Sequence, residues 1–266
     1  MKIGFIGIGN MGSAMINGLV KAENADVYAY DIDKKKIANI DQEKVQVVDS
    51  VKEIFDLGKY VILAVKPEVY KQVFKEIKPF ITDEHIIVTI APGFSIQSIK
   101  GFLGQDTKVV RTMPNTPALV NEGMTAYSFR EGEITEENHE EVKNIFSSFG
   151  KYIKINETDI EAFITIAGSS PAYAYVYMEA MADAAVSFGL NRDVSYKLAA
   201  QALKGAAQMV LETGDHPAVL KDSVTSPGGG TIQAILKLEE TGFRTAIIQS
   251  MQAVYKKSIE QGKLSE

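Results

Sequence analysis

Short apolar runs alternate with segments of helical periodicity over the first half of the chain. The apolar and β-branched runs predict strands at Ile3–Ile8, Asp26–Tyr30, Val45–Val48, Tyr60–Val65, His85–Ile90, Val109–Met113, Met124–Phe129 and Tyr152–Ile155. The helical patterns predict helices at Met11–Lys21, Pro67–Ile77, Ile96–Leu103 and Thr135–Phe149. This alternation predicts an α/β domain, a doubly wound parallel sheet with helices on both faces.

The pattern changes at about Glu157, after which every segment predicts helix. The predicted helices are Ala172–Phe188, Ser195–Leu211, one that begins at about Thr231, and Phe243–Ile259. We therefore expect two domains, residues 1–157 with the sheet and residues 158–266 with helices alone. Ala172–Phe188 is apolar almost all round, and such a helix must be enclosed. Because the short helical half cannot enclose it alone, we expect burial at the interface of a homodimer.

Composition narrows the classes of function. The chain has 266 residues, is 45% hydrophobic and carries a net charge of −6. Its basic residues are scattered, which argues against a nucleic-acid partner. There is no cysteine, which excludes thiol catalysis, and the three histidines are too dispersed for a zinc motif. We expect no metal.

The most apolar segment, Ala172–Phe188, is too short to span a bilayer and contains Glu179 and Asp183. The first residues enter a predicted strand at once, which leaves no room for a signal peptide. We therefore expect a soluble, cytoplasmic protein with no membrane partner. Glu179 and Asp183 lie one helical turn apart, and we interpret them as structural or solvated rather than catalytic.

A glycine-rich turn follows the first predicted strand and opens the first predicted helix. Gly7 permits the tight turn, Gly9 lets the backbone approach a pyrophosphate, and Gly12 allows close packing of helix and strand. A plain glycine-rich turn is the alternative, but the strand–turn–helix context favours a Rossmann-type dinucleotide site. The residues expected to contact the cofactor here are Gly7, Ile8, Gly9, Asn10, Met11 and Gly12.

Asp31 ends the second predicted strand, where an acidic side chain accepts hydrogen bonds from the ribose hydroxyls of NAD. It would repel the 2′-phosphate of NADPH, and the adjacent Lys34, Lys35 and Lys36 could offset that repulsion. We interpret the lysines instead as a solvated helix start. The sequence therefore leans slightly to NADH and leaves NADPH open.

Three further turns lie at the carboxyl ends of predicted strands, the edge at which such sheets bind cofactors. The residues expected to contact the cofactor at this edge are Ala64, Val65, Lys66, Pro67, Ala91 and Asn115. Asn115 and its neighbour Thr116 could line a nicotinamide pocket. Arg111 lies inside an apolar strand, and we expect it to serve a structural hydrogen-bond network.

The segment Thr225–Thr231 has three consecutive glycines directly before a predicted helix. N–H groups at a helix start form an anion site, and Thr225, Ser226 and Thr231 surround it with hydroxyls. A helix cap with flexible glycines is the alternative, although a cap does not require three. A second anion site, distant in sequence from a cofactor loop, suggests a two-substrate enzyme.

Together these segments resemble the pyrroline-5-carboxylate reductase family, which catalyses the last step of proline synthesis. The resemblance covers the whole chain and rests on the glycine loop, Ala64–Pro67, Met113–Pro117, Gly168–Tyr173 and, most specifically, His216–Thr231. It implies a Rossmann-type domain followed by an all-α C-terminal dimerisation domain. It also implies reduction of 1-pyrroline-5-carboxylate to L-proline with NADH or NADPH, by a homodimer that in many members builds a decamer.

The resemblance also assigns residues. The substrate-binding set that it implies is Ser223, Ser226, Gly229, Gly230 and Thr231, with the last two on the carboxylate and ring. Ser223 stands where many members have Asn. Ser170 replaces the Gly that is usual in the turn before the first long helix.

Reduction of a cyclic imine needs little acid–base machinery, which fits the scarcity of histidine. We expect Thr231 to orient the ring nitrogen and assist proton delivery. Two alternatives stay open, a β-hydroxyacid dehydrogenase-like enzyme and a non-catalytic NAD(P)-sensing regulatory protein. The dehydrogenases resemble one another in a catalytic Lys on the first long helix after a glycine-rich turn, whereas Ala172–Phe188 contains no Lys. The intact loop at Gly228–Thr231 speaks against the sensor.

Overall fold

The computed structural model describes residues 1–265 and divides into two compact units. The first consists of Met1–Ser169 with the segment from Val254 onward, and the second is Ser170–Ala253. The predicted fold class is confirmed, because the first unit carries the sheet and the second is helical. Glu266, the last residue of the expected second domain, lies outside the described residues.

The first unit contains an eight-stranded sheet. Its strands are β1 Lys2–Ile6, β2 Asp26–Tyr30, β3 Val45–Val47, β4 Tyr60–Leu63, β5 Ile86–Thr89, β6 Lys108–Met113, β7 Gly123–Ser128 and β8 Gly150–Lys154. They lie in the order β3-β2-β1-β4-β5-β6-β7-β8. The order reverses between β1 and β4, and doubly wound sheets bind their ligands at such a switch point.

Helices cover both faces of this sheet. They are α1 Asn10–Ala22, α2 Val51–Leu57, α3 Tyr70–Ile77, α4 Ile96–Leu103, α5 Glu136–Ser147 and α6 Ile160–Phe163, the last continued by a π-helix, Ile164–Gly168. Successive strand residues contribute to two apolar cores, with Tyr60 and Ile62 in one and Val61 and Leu63 in the other. Both faces are buried because strand side chains alternate in direction and helices lie over each face.

The last two strands, β7 and β8, run opposite to the other six and depart from the predicted parallel sheet. β7 is antiparallel to β6, while β8 is again parallel to β7. The chain between β6 and β7 forms only a 3-10 turn, Thr116–Val120. Parallel neighbours need a longer crossover, so this connection makes the sheet mixed.

The segment before the second unit packs on the sheet. Ile160 and Phe163 of α6 join Met113 and Ala126 in a small apolar cluster. This packing explains why the compact first unit continues to Ser169, beyond the expected domain boundary at 157/158.

The second unit is built from α7 Ser170–Ser187, α8 Arg192–Thr213, α9 Pro217–Ser223, α10 Gly230–Glu240 and the first part of α11, Phe243–Ser265. In α7, Ala182 is buried, but Val176 is 65% exposed and Tyr175 is 60% exposed. This apolar helix is therefore not enclosed by its own chain. Within residues 1–265, no helix has both the length and the apolar character that a membrane span needs.

Candidate active site

The glycine loop between β1 and α1 has the geometry of a dinucleotide cradle. Gly7 has a φ of 105°, and a Cβ on it would lie 2.5 Å from the carbonyl oxygen of Ala64. A Cβ on Gly12 would lie 2.3 Å from the Gly7 carbonyl oxygen, so the helix touches the turn there. A Cβ on Gly9 would meet nothing within 4 Å, which leaves space beside the backbone for a ligand. The loop therefore fits a dinucleotide.

The start of α1 presents free backbone donors. Gly9 is the N-cap and makes no side-chain capping hydrogen bond, while the first intrahelical bond runs from the Ser13 N–H to the Gly9 carbonyl at 2.8 Å. The N–H groups of Asn10, Met11 and Gly12 precede that bond and are the unpaired groups of a helix start. They suit a pyrophosphate, since a helix N-terminus favours negative charge.

Asp31 joins the end of β2 to the glycine loop. Its side chain is only 5% exposed, and its Oδ2 accepts a hydrogen bond from the Ile8 N–H at 2.7 Å. Oδ1 accepts from the Asp33 N–H at 2.8 Å. Ile8 is fully buried in the core, and its hydrogen bond to Asp31 fixes the position of the loop.

The three lysines after β2 are not equivalent. Lys34 forms an exposed ion pair with Asp49 at 3.1 Å. The ammonium of Lys36 instead lies against both carboxylate oxygens of Asp31, at 3.2 Å from Oδ1 and 3.1 Å from Oδ2. The expectation of a solvated helix start is therefore wrong for Lys36, because the nearly buried carboxylate of Asp31 attracts its ammonium.

A backbone hydrogen bond connects the turn after β4 to the end of β1. The Ala64 N–H donates to the Ile6 carbonyl at 2.8 Å, and Val65, Lys66 and Pro67 follow toward the surface. Tyr70, which the sequence did not indicate as a site residue, has a buried hydroxyl that donates to the Leu63 carbonyl just before this turn. Burial raises the pKa of the Tyr70 hydroxyl, so it remains a neutral donor there.

Two predicted cofactor residues at this edge are engaged within the protein. Ala91 is buried in the core against α3 and α4. The side chain of Asn115 is also buried; its amide nitrogen donates to the Ala167 carbonyl at 2.9 Å, and its oxygen accepts from the Met124 N–H at 2.8 Å. Asn115 therefore holds the end of β6 to β7 and to the π-helix.

Arg111 has the structural role that its apolar strand predicted. Its guanidinium is nearly buried and pairs with Glu157 at 3.2 Å and Glu161 at 2.9 Å. Glu157 also accepts a hydrogen bond from the Ile96 N–H at the start of α4. These two carboxylates were not predicted, since their partners are distant in sequence.

The second glycine-rich segment lies between α9 and α10. Gly229 is the N-cap of α10 and makes no side-chain capping hydrogen bond, and Gly228 has a φ of 70°. A Cβ on Gly229 would lie 2.5 Å from the Ser226 hydroxyl, which places that hydroxyl against the loop. A Cβ on Gly230 would meet nothing within 4 Å. Thr231 is exposed in the first turn.

The structure brings together Ser226, Gly229, Gly230 and Thr231 but gives Ser223 a different environment. The Ser223 hydroxyl donates to the Leu220 carbonyl at 2.7 Å, within α9. Thr225 is similarly engaged with the Lys221 carbonyl at 2.6 Å. Over the part of the chain that the structure describes, no group of acidic or histidine side chains could hold a metal ion.

Known proteins match this chain over nearly its whole length. A family model described as pyrroline-5-carboxylate reductase dimerisation matches residues 157–261, and one described as coenzyme F420-dependent NADP oxidoreductase matches residues 2–93. The pyrroline-5-carboxylate reductase of Escherichia coli (strain K12) is 43% identical over 266 residues, covering 98% of each chain. The chain belongs to the pyrroline-5-carboxylate reductase family.

Solved structures of family members superpose closely on this fold. Pyrroline carboxylate reductase from Plasmodium falciparum, with NADP bound, has a TM-score of 0.88 and 31% identity and covers 98% of each chain. The enzyme from Coxiella burnetii has a TM-score of 0.90, with the same identity and coverage.

Family membership decides between the functions that the sequence left open. It confirms an NAD(P)H-dependent pyrroline-5-carboxylate reductase of proline biosynthesis over the dehydrogenase and the sensor. The match at 157–261 assigns the helical half to the family's dimerisation domain, so the chain forms a homo-oligomer. The exposed apolar surface of α7 lies within the residues that this domain matches.

Proposed function

We propose that the chain reduces 1-pyrroline-5-carboxylate to L-proline and binds the substrate carboxylate at the start of α10. The observation that carries this proposal is the glycine-rich N-cap, where Gly229 leaves the first N–H groups of the helix without a side-chain cap. The N–H groups of Gly230 and Thr231 suit a carboxylate, because a helix start favours negative charge. Ser226 adds a hydroxyl, and Ser223 completes the proposed substrate-binding set.

We propose that Thr231 is the catalytic residue. When bound, the reduced nicotinamide supplies the hydride that saturates the carbon–nitrogen double bond. The hydroxyl of Thr231 orients the ring nitrogen and assists delivery of the proton to it. The chain adds little other acid–base machinery, since an imine nitrogen is readily protonated. Most of the rate acceleration then comes from holding two reactants in register.

For the cofactor, we propose that the glycine loop binds the pyrophosphate and that Asp31 faces the adenosine ribose. The further contacts proposed at the carboxyl edge are Ala64, Val65, Lys66, Pro67, Ala91 and Asn115. Ala91 and Asn115 would act through their backbone or by shaping the nicotinamide pocket, since their side chains are engaged in the fold. Asp31 favours NADH over NADPH, because a carboxylate repels a 2′-phosphate.

A steady-state assay with 1-pyrroline-5-carboxylate tests this function and the cofactor preference together. We expect oxidation of both NADH and NADPH, with the lower KM for NADH. No oxidation of either cofactor would contradict the proposed reaction. A KM for NADPH at least about tenfold lower than that for NADH would overturn the preference alone, since it corresponds to about 1.4 kcal/mol in the opposite direction.

Three expectations that are finer than what family membership shows become proposals. The functional division stays at 157/158, in agreement with the start of the dimerisation match at residue 157. The oligomer is a homodimer that can assemble further into a decamer. The protein is cytoplasmic, which cell fractionation tests.

A further inference from the structure

The ion pair between Asp31 and Lys36 lies at the carboxyl end of β2, beside the glycine loop. We propose that Lys36 determines cofactor specificity, because it admits the 2′-phosphate of NADPH where Asp31 alone would exclude it. The inference rests on the proposed place of Asp31 beside the adenosine ribose. It adds that Lys36 is the residue that allows NADPH to bind as well as NADH.

The carboxylate of Asp31 is nearly buried and is held by three hydrogen-bond donors. The side chain is 5% exposed, and a nearly buried carboxylate must be paired or hydrogen-bonded. Two of its donors are backbone N–H groups, from Ile8 and Asp33, which the loop holds in place. The third is the ammonium of Lys36, the one full positive charge that the described hydrogen bonds bring to this carboxylate.

The Lys36 ammonium can donate to a phosphate while it stays paired with Asp31. Its side chain is 40% exposed, so part of it reaches solvent at the place where a ribose substituent would lie. A lysine ammonium has three donors on a flexible stem. A phosphate monoester carries about −1.5 to −2 charges at neutral pH, and the carboxylate adds a further negative charge. An ammonium between them lowers the repulsion.

The neighbouring lysines are poorly placed for this role. Lys34 is paired with the exposed Asp49 at 3.1 Å. Lys35 has an exposed side chain, and it is its backbone N–H that donates to Asp33, at 3.1 Å. Lys35 therefore offers a matched control, a lysine in the same 3-10 turn that does not contact Asp31.

Binding of NAD⁺ and NADP⁺ to the full-length chain, measured by isothermal titration calorimetry, tests the proposal. The quantity of interest is the ratio of the two dissociation constants. We expect Lys36→Gln to shift this ratio about tenfold against NADP⁺, the order of one hydrogen bond to a charged group. Lys35→Gln should leave the ratio unchanged, and Lys36→Arg should hold it within about threefold, because it retains the positive charge.

The alternative role for Lys36 is purely structural, as a clamp on Asp31 and the glycine loop. In that case Lys36→Gln would weaken both cofactors equally and leave the ratio unchanged, which would overturn the proposal. An equal shift in the ratio for Lys35→Gln would also overturn it, since it would reduce the effect to general surface charge. Because the measurement needs no substrate, its failure is distinct from failure of the proposed reductase function.

Discussion

At the scale of single residues, the proposed site relies on backbone donors and on few side chains. The start of α10 offers uncapped N–H groups, and Thr231 is the residue of its first turn whose hydroxyl could reach a bound ring. A carboxylate held by N–H groups needs no arginine. Among the residues of this turn, loss of the Thr231 side chain should therefore lower the rate of catalysis most.

We expect Thr231→Ala to lower kcat with 1-pyrroline-5-carboxylate by about 10²-fold, the lower end of what one oriented hydrogen-bond donor contributes. The dissociation constants of NADH and NADPH should change little, because the glycine loop is untouched. Thr241→Ala is a suitable control, since that hydroxyl bonds to the Lys237 carbonyl at the other end of α10. Wild-type turnover in Thr231→Ala would remove the residue from the mechanism.

Single residues also show how far the sequence can predict a site. Arg111 was predicted as structural because a lone charge inside an apolar strand must find partners. Lys36 could not be separated from Lys34 and Lys35, since the direction of a lysine side chain depends on the fold around it. The structural role of the Asn115 amide could not be predicted either, because its partner Ala167 is distant in sequence.

At the scale of elements, the glycine loop was predictable because its constraints are local. A turn between a strand and a helix needs glycine where backbone meets backbone, and the structure has Gly12 against the carbonyl of Gly7. The antiparallel direction of β7 was missed. The signal was available in the short segment from Pro114 to Glu122, which contains two prolines and no helical period.

We expect Gly12→Ala to weaken both cofactors by at least about tenfold and to lower the free energy of unfolding by about 1–3 kcal/mol, because overpacking forces the backbone to move. Urea unfolding and cofactor titration measure the two effects. Gly101→Ala is the control, since Gly101 lies at an exposed position of α4 and a Cβ there meets nothing within 4 Å. It should leave cofactor affinity unchanged and increase stability by up to about 1 kcal/mol. Normal cofactor binding by Gly12→Ala would show that close packing of α1 on the turn is dispensable.

At the scale of the whole molecule, composition and periodicity predicted both the fold class and the need for a partner subunit. The apolar α7 could not be enclosed by one short helical unit, and the structure leaves Val176 exposed. The sequence placed the division of the chain at 157/158, whereas the compact first unit continues to Ser169. The difference arises from α6, whose packing on the sheet is a tertiary contact and leaves no periodic signal.

Sedimentation of the full-length chain at micromolar concentration should show a dimer or a larger assembly. We expect Val176→Glu to shift it toward the monomer, because a buried unpaired carboxylate costs several kcal/mol. Val69→Glu makes the same change at a half-exposed valine of the first unit and should leave the assembly intact. A monomeric wild-type chain would contradict the interpretation of α7.

A crystal structure of the protein with L-proline and NADP⁺ tests the central claim most directly. We predict carboxylate oxygens of proline about 2.7–3.2 Å from the N–H nitrogens of Gly230 and Thr231, with the ring nitrogen beside the Thr231 hydroxyl. Proline bound elsewhere, with the start of α10 free of any ligand, would contradict the account.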